Sequence, residues 1–174
     1  MNFDKVVACC KELGFKPKVA DFSDRLVIQK ANYLLQLKGV KADFSYSLYV
    51  RGPYSPSLTK AIYGQKEKIE GLAVQRPVVG AELAAVNEFK VLFSGLVPST
   101  LEIAATYAYF AFDAKQDPME ALKNAKKFKQ FYSETQLAIG VSKAKEFLFK
   151  PSERDVSELK KEFSDWQDAA TKSL

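Results

Sequence analysis

Apolar residues recur with a helical period along most of the chain. Side-chain oxygens that suit an N-cap precede several of these stretches, as in Asp21-x-x-Asp24, and Pro56 follows Ser55 where a first helical turn would begin. The chain is therefore expected to be mainly α-helical. The predicted helices cover about residues 2–13, 22–39, 56–64, 83–96, 100–115, 118–127 and 137–148.

The segment 22–39 is apolar around most of its helical circumference. Four of its polar residues are spaced by four, three and four positions and form one narrow stripe: Arg25, Gln29, Asn32 and Gln36. A helix with so narrow a polar stripe is buried on more than one side. We expect this helix at the centre of the fold.

The hydrophobic period changes to two over residues 43–50, which predicts a strand with one packed and one solvated face. The strand needs a partner, and the best candidate is the segment at about 72–76, just before Pro77. We therefore predict a small two-stranded β element at about 43–50 and 72–76. The residues expected on its packed face are Phe44, Tyr46, Leu48 and Val50.

The segment 152–172 predicts a C-terminal amphipathic helix with a narrow apolar seam. We expect this seam to dock on the body of the protein, and the alternative is a homodimer contact. The seam residues follow one another at spacings of three, four, three and four: Val156, Leu159, Phe163, Trp166 and Ala170.

The composition suits one globular domain that covers residues 1–174. The chain has 174 residues, of which 47% are hydrophobic and 27% charged, and we find no internal repeat or Gly/Ser linker. The first residues lack the layout of a signal peptide, and the most apolar run, Ile103–Phe112, is far shorter than the roughly 20 residues of a membrane span. We therefore expect a cytoplasmic protein that does not act in a membrane.

The chain contains no histidine, which excludes histidine general bases, serine–histidine and cysteine–histidine pairs, and imidazole metal sites. The two cysteines, Cys9 and Cys10, are adjacent in a predicted helix and form no CxxC motif. Glycine-rich phosphate loops are also absent from the sequence. We expect no enzymatic activity and assign no catalytic, cofactor-binding or metal-binding residue.

The net charge of +5 is carried by the first half of the chain, since residues 1–80 hold 13 basic and 7 acidic residues. Only four of the 26 basic residues are arginines, which disfavours sequence-specific DNA recognition and keeps nucleic acid as an alternative partner. A second cluster of lysines lies beside aromatic residues and is interpreted as a solvated helix face. It comprises Lys123, Lys126, Lys127 and Lys129.

The strongest candidate for a binding site is the turn at 49–55, between the predicted strand and the helix at 56–64. Glycine and proline predict a sharp turn here, and the alternation places an arginine and a tyrosine on the solvated strand face while Val50 points inward. The helix that follows would offer free N–H groups at Ser55 and Ser57, so the turn suits an anionic partner. The alternative is a purely structural turn. The candidate partner-binding residues are Tyr49, Arg51, Gly52, Pro53, Tyr54 and Ser55.

Two motifs resemble a known family: the helical segment RLVIQKANYLL at 25–35, and F-x-Y-x-LYVRGPYS at 44–55. Together with LEIAAT at 101–106 and FYSETQ at 131–136, they resemble the YwgA-like uncharacterised bacterial and archaeal proteins and, more distantly, the SocA-like Panacea antitoxin and phage-associated domain. The resemblance covers about residues 22–149. The chain departs from the family pattern by carrying Val50-Arg51 where an aromatic residue usually precedes Gly-Pro.

The Panacea resemblance implies protein–protein binding without a cofactor, as a toxin-neutralising or adaptor module. We therefore expect a single-domain, mainly α (α+β) protein, a bundle of about seven helices with a small β element. Its expected partner is another protein, such as a toxin or a protease adaptor target. The alternative is a nucleic-acid-binding regulator, in which residues 22–76 would form a degenerate winged helix.

Overall fold

The computed structural model of the protein describes residues 1–149. These residues form eight α-helices, a two-stranded antiparallel sheet and a π-helical turn, so the prediction of a mainly α fold with a small β element is confirmed. The elements in chain order are α1 (Phe3–Glu12), α2 (Phe22–Leu37), β1 (Ser47–Tyr49), β2 (Gly52–Tyr54), α3 (Pro56–Gly64), α4 (Lys66–Glu70), α5 (Gly80–Leu92), α6 (Pro98–Ala108), the π-helical turn Tyr109–Asp113, α7 (Pro118–Phe128) and α8 (Glu134–Leu148).

Helix starts follow the predicted capping chemistry. The Asp21 side chain accepts hydrogen bonds from the first backbone N–H groups of α2, and the Ser55 hydroxyl accepts one at the start of α3. Ser133 and Gln136 form a reciprocal capping box at the start of α8. Local sequence therefore determines where these helices begin.

Helix α2 lies at the centre of the fold, as predicted. Leu34 and Leu35 are fully buried, and α2 packs against α6, α1, α3 and α5. Even the polar residues Gln29 and Asn32 are buried, and their side chains face the segment 44–55 and not solvent.

Helices α6 and α8 form the most closely packed pair. A Cβ atom on Gly140 of α8 would lie 2.6 Å from Cβ of Ile103 on α6, so the absence of a side chain allows this close approach. Three phenylalanines, Phe89, Phe93 and Phe147, pack together where α5 meets α8, with ring centroids 4.5–5.9 Å apart. The side chains that meet here are apolar, and the ammonium groups of Lys38 and Lys143 lie 4.7 and 5.9 Å from the centres of the Phe147 and Phe93 rings.

The predicted second strand at 72–76 is wrong. The strand β1 pairs instead with β2, which follows it directly, so that Ser47 lies opposite Tyr54 and Tyr49 opposite Gly52. Gly52 adopts a positive φ of 83°, and the chain reverses just before it, which brings 52–54 alongside 47–49. Leu72 has a positive φ of 50° in the irregular segment after α4, a conformation that does not continue a strand.

Two helical details also differ from expectation. The short helix α4 was not predicted, because its only apolar residue, Ile69, cannot define a period. The predicted helix at 100–115 is divided: α6 ends at Ala108 and the chain continues as the π-helical turn to Asp113, whose carboxylate accepts a hydrogen bond of 2.7 Å from Tyr33.

Three further predictions concern the cysteines, membrane-spanning helices and the C-terminal helix. Cys9 and Cys10 are buried and unbridged, and burial raises the pKa of Cys9 to about 12, as expected for thiols in an apolar interior. None of the helices between residues 1 and 149 has the length and apolar character needed to cross a bilayer. The predicted helix at 152–172, and the docking or homodimer contact expected of it, lie outside the described residues.

Candidate functional site

The polar stripe of α2 holds the backbone of the segment 44–55. Gln29 accepts a hydrogen bond of 3.0 Å from the Ser55 N–H and donates one of 3.0 Å to the Ser55 carbonyl. Gln36 makes the same paired contacts with Phe44, at 2.9 and 3.0 Å. Each glutamine side chain thus satisfies both the N–H and the carbonyl of one residue, as a neighbouring strand would do. Both ends of the segment are therefore fixed to the central helix.

A buried ionic cluster lies beneath the turn between β1 and β2. Glu102 of α6 and Lys129, just after α7, are both essentially inaccessible to solvent, and their side chains form an ion pair of 2.6 Å. The second carboxylate oxygen of Glu102 accepts from the half-exposed Arg51 at 3.3 Å. Lys129 Nζ also lies 3.4 Å from the Val50 carbonyl. The cluster therefore connects the turn to two helices that are distant in sequence.

Lys30 of α2 extends the cluster, and its Nζ donates a 2.6 Å hydrogen bond to the Pro53 carbonyl. Burial lowers the pKa of Lys30 to about 7, with attraction by Glu102 opposing the shift and repulsion by Lys129 and Arg51 adding to it. Burial also lowers the pKa of Lys129, against its hydrogen bond and attraction to Glu102. Lys129 and Arg51 thus bond to one carboxylate, and Lys30 lies near enough to be attracted by it, so positive charge exceeds negative charge around the turn.

Gly52 brings the turn into direct contact with α6. A Cβ atom at this position would overlap the Thr106 hydroxyl, and the positive φ of 83° is a conformation that other residues adopt only under strain. The Thr106 hydroxyl itself donates to the Glu102 carbonyl at 2.7 Å. Glycine is therefore required at position 52 both by the backbone conformation and by the neighbouring helix.

A cavity of about 440 Å³, which we call the hairpin pocket, opens between β1–β2, α2 and α3. The guanidinium groups of Arg25 and Arg51 lie 5.6 and 5.5 Å from the centre of the Phe22 ring, and Arg25 also lies 5.7 Å from that of Tyr63. None of the lining residues is acidic. They are Phe22, Arg25, Leu26, Gln29, Lys30, Tyr49, Val50, Arg51, Gly52, Tyr54, Thr59 and Tyr63.

Four of the six candidate residues predicted from sequence line the hairpin pocket: Tyr49, Arg51, Gly52 and Tyr54. Tyr49 is 65% exposed, as predicted for the solvated face, and its ring centroid lies 5.9 Å from that of Tyr54. The other two, Pro53 and Ser55, are buried in the turn and do not line the pocket.

Two finer predictions for this turn are wrong. Val50 does not point inward but is 71% exposed, because Val50 and Arg51 form the loop of the hairpin, where the alternation of a strand no longer applies. The Ser55 N–H is not free, because Gln29 accepts its hydrogen bond. The start of α3 is therefore a structural anchor.

Most of the charged residues at this site are not among the candidate residues predicted from sequence. Lys129 was assigned to a solvated helix face but is fully buried, because α7 ends at Phe128 and the backbone of Lys129 leaves the helix. The other three lysines of that cluster are exposed, as predicted. Lys30 and Glu102 carried a usable signal, since each is a lone charge within a long apolar helical stretch, where an ionisable residue is paired when buried.

Residues 1–149 contain no group of three or more Cys, Asp or Glu side chains that could hold a metal ion. Comparisons of the chain with protein-family models, curated proteins and solved structures found no match. The arrangement at the hairpin therefore carries the functional argument.

Proposed function

We propose that this chain is a cytoplasmic, non-enzymatic protein-interaction module of the antitoxin or adaptor type, which binds another protein through the loop of the hairpin and the adjoining hairpin pocket. The observation that carries the proposal is an exposed, partly apolar loop on a firmly anchored backbone. Tyr49 and Val50 are 65% and 71% exposed, whereas Gly52, Pro53 and Ser55 beside them are buried.

The anchoring of the loop favours binding because little conformational entropy is lost when its residues become ordered against a partner. Gln29, Lys30 and Lys129 hold the backbone of residues 50–55 before any partner arrives. Tyrosine and arginine are also the residue types that dominate binding energy at protein interfaces. Tyr49, Tyr54 and Arg51 provide both types within one small surface.

The motifs that resemble the YwgA-like and Panacea proteins support the same class of function, with a toxin or a protease adaptor target as the partner. The alternative, a nucleic-acid-binding regulator, depended on a winged-helix arrangement with a strand at 72–76. That strand is not formed, and the sheet precedes α3 as a short hairpin. The observed hairpin therefore gives the nucleic-acid alternative no support beyond the positive charge of residues 1–80.

The test is affinity purification of the full chain from its native host, comparing wild type with the double variant Tyr49→Ser/Val50→Ser. We expect a stoichiometric partner to bind the wild-type protein and to lose at least tenfold in affinity for the double variant, measured by calorimetry with both proteins purified. Val91→Ser is the matched control, because Val91 is 81% exposed on α5 and does not line the hairpin pocket.

Absence of any stoichiometric partner would contradict the proposal, and so would a partner that binds the double variant as tightly as wild type. Binding to duplex DNA that falls steeply between roughly 50 and 200 mM salt would instead support the nucleic-acid alternative. The unfolding midpoint of each variant in urea should match wild type, because Tyr49 and Val50 contribute little to the core.

A further inference from the structure

We infer that the hairpin pocket accepts the carboxylate of an aspartate or glutamate side chain, presented by an acidic and otherwise apolar segment of the partner, with Arg25 and Arg51 as its ligands. This inference rests on the proposed function, because it identifies the part of the partner that enters the pocket. It is carried by the charge, the donor geometry and the size of the pocket.

The pocket is lined by basic residues and by no acidic residue that would neutralise them. Arg25, Lys30 and Arg51 line it, and none of the lining residues is acidic. The nearby carboxylate of Glu102 is already engaged at both oxygens, by Lys129 at 2.6 Å and by Arg51 at 3.3 Å. An incoming anion would therefore meet an excess of positive charge in partly desolvated surroundings, where electrostatic attraction is stronger than in water.

The two guanidinium groups converge on one aromatic ring. Arg25 and Arg51 both lie about 5.5 Å from the centre of the Phe22 ring, one from α2 and one from the hairpin loop. Within residues 1–149, Arg25 uses Nη1 for hydrogen bonds to the carbonyls of Val19 and Ala20. Its Nη2 and Nε groups and the remaining donors of Arg51 line the same pocket. A single guanidinium group can bind a carboxylate in the two-pronged geometry that arginine favours, and the second arginine adds positive charge.

The remaining lining favours a carboxylate on an apolar segment over a free inorganic anion. Phe22, Leu26, Tyr54 and Tyr63 provide aromatic and aliphatic surface around the arginines. A volume of about 440 Å³ lies within the range of roughly 300–1,000 Å³ typical of ligand sites, which is enough for an acidic side chain and an apolar neighbour. Such a segment would bury apolar surface and neutralise charge in the same step.

Lys30 adds a measurable signature to this binding. Its side chain is 98% buried, and the groups that act on it are Glu102 from α6, Arg51 from the hairpin and Lys129 after α7. Because burial lowers the pKa of Lys30 to about 7, this group is only partly protonated at neutral pH. A carboxylate in the pocket would raise this pKa again, so binding should take up protons from solution.

The experiment is selection of a random dodecapeptide display library on the full chain, followed by synthesis of the best binder. We expect the selected peptides to be enriched in aspartate or glutamate next to an apolar residue. Replacing the selected acid by its amide should weaken binding at least tenfold, and so should Arg51→Gln or Arg25→Gln. Arg76→Gln is the matched control, because Arg76 is an exposed arginine outside the pocket, and it should leave binding unchanged.

Calorimetry of the same peptide in two buffers of different ionisation enthalpy, at pH 7.5, should show net proton uptake that is lost in Lys30→Met. Selection without acidic enrichment would overturn the inference, as would equal weakening by Arg76→Gln. Displacement of the peptide by inorganic phosphate or by duplex DNA at equal concentration would also overturn it. If the native partner depends on Tyr49 and Val50 but not on either arginine, the carboxylate inference fails while the proposed function stands.

Discussion

The interior of this protein is built in two contrasting ways on the two sides of α6. Towards α8, Ile103 contacts Gly140, and the rings of Phe89, Phe93 and Phe147 pack against one another. Towards the hairpin, the neighbouring residue Glu102 pairs with Lys129 at full burial. Ile103 thus belongs to an apolar core, whereas the adjacent residue Glu102 belongs to the buried ionic cluster, which we call the ionic core.

The apolar packing against α8 stabilises the fold, whereas the ionic core positions the hairpin. Apolar burial contributes roughly 25 cal/mol per Å², so the α8 side provides a direct gain in stability. A buried ion pair gains little net free energy, because the removal of two charges from water offsets most of their attraction. The ionic core instead fixes the position of the hairpin. Lys129 and Arg51 bond to the same carboxylate, and Lys30 bonds to the Pro53 carbonyl. We therefore regard it as the device that fixes the hairpin.

The largest expected effect comes from breaking the ionic core on one side only. Glu102→Gln would leave Lys129 buried without an anionic partner, and we expect it to lower the free energy of unfolding by about 3–5 kcal/mol, measured by urea denaturation. Replacing both partners by apolar residues, as in Glu102→Met/Lys129→Met, should recover most of that loss. Glu134→Gln is the surface control, since its pair with Lys126 is exposed, and it should change stability by less than about 0.5 kcal/mol.

If the double replacement lost as much stability as Glu102→Gln, the ionic core would be a source of stability and its contrast with the apolar packing between α6 and α8 would be wrong. A backbone NMR spectrum of the double variant provides the second readout. We expect the shifts of residues 49–54 to move more than those of α8, because the hairpin loses its anchors while the apolar core is unchanged.

The next effect in size tests the contact of the hairpin with α6. Gly52→Ala introduces a Cβ atom that overlaps the Thr106 hydroxyl and imposes a strained backbone, so we expect a loss of about 2–3 kcal/mol by the same measurement. Adding Thr106→Ala should recover the steric part of that loss and leave the backbone part. Gly64→Ala is the control, because Gly64 has open space around it and no positive φ, and its stability should not fall.

A Gly52→Ala variant as stable as wild type would show that the turn does not rest on Thr106. Equal destabilisation with and without Thr106→Ala would attribute the whole effect to backbone strain.

The helical part of the fold follows from local sequence, whereas the site depends on distant contacts. The caps at Asp21 and Ser133 and the narrow polar stripe of α2 could be predicted because each involves residues within a few positions of one another. The Gly-Pro pair indicated a sharp turn, but its position in a hairpin depends on Gln29 and Thr106, which lie 26 and about 50 residues from the turn. Periodicity alone does not supply such pairings.

The charges of the site illustrate the same limit. Lys129 lies in a lysine-rich stretch, and a helical face of lysines is normally solvated. Its burial follows from the end of α7 one residue earlier and from the presence of Glu102, 27 positions before it. The lone charge within the apolar stretch of α6 was the local signal that a buried partner existed.

The smallest expected effect is a pH dependence that belongs to the ionic core and not to the apolar one. Because burial lowers the pKa of Lys30 to about 7 from its ordinary value of 10.5, the unfolded chain binds more protons than the folded chain between these values. The free energy of unfolding therefore rises with pH in this window. We expect Lys30 to increase it by about 1–2 kcal/mol between pH 7 and 8.5, measured in urea titrations. The titration ends at pH 8.5, which is below the ordinary pKa of Cys9. Burial raises the pKa of this thiol to about 12 in the folded chain, so its ionisation in the unfolded chain would lower stability at higher pH. Lys30→Met should remove the gain, whereas Lys60→Met, at an exposed position on α3, should retain it. An equal rise in wild type and Lys30→Met would mean that Lys30 keeps its proton on folding, and the hairpin would then rest on a permanently charged core.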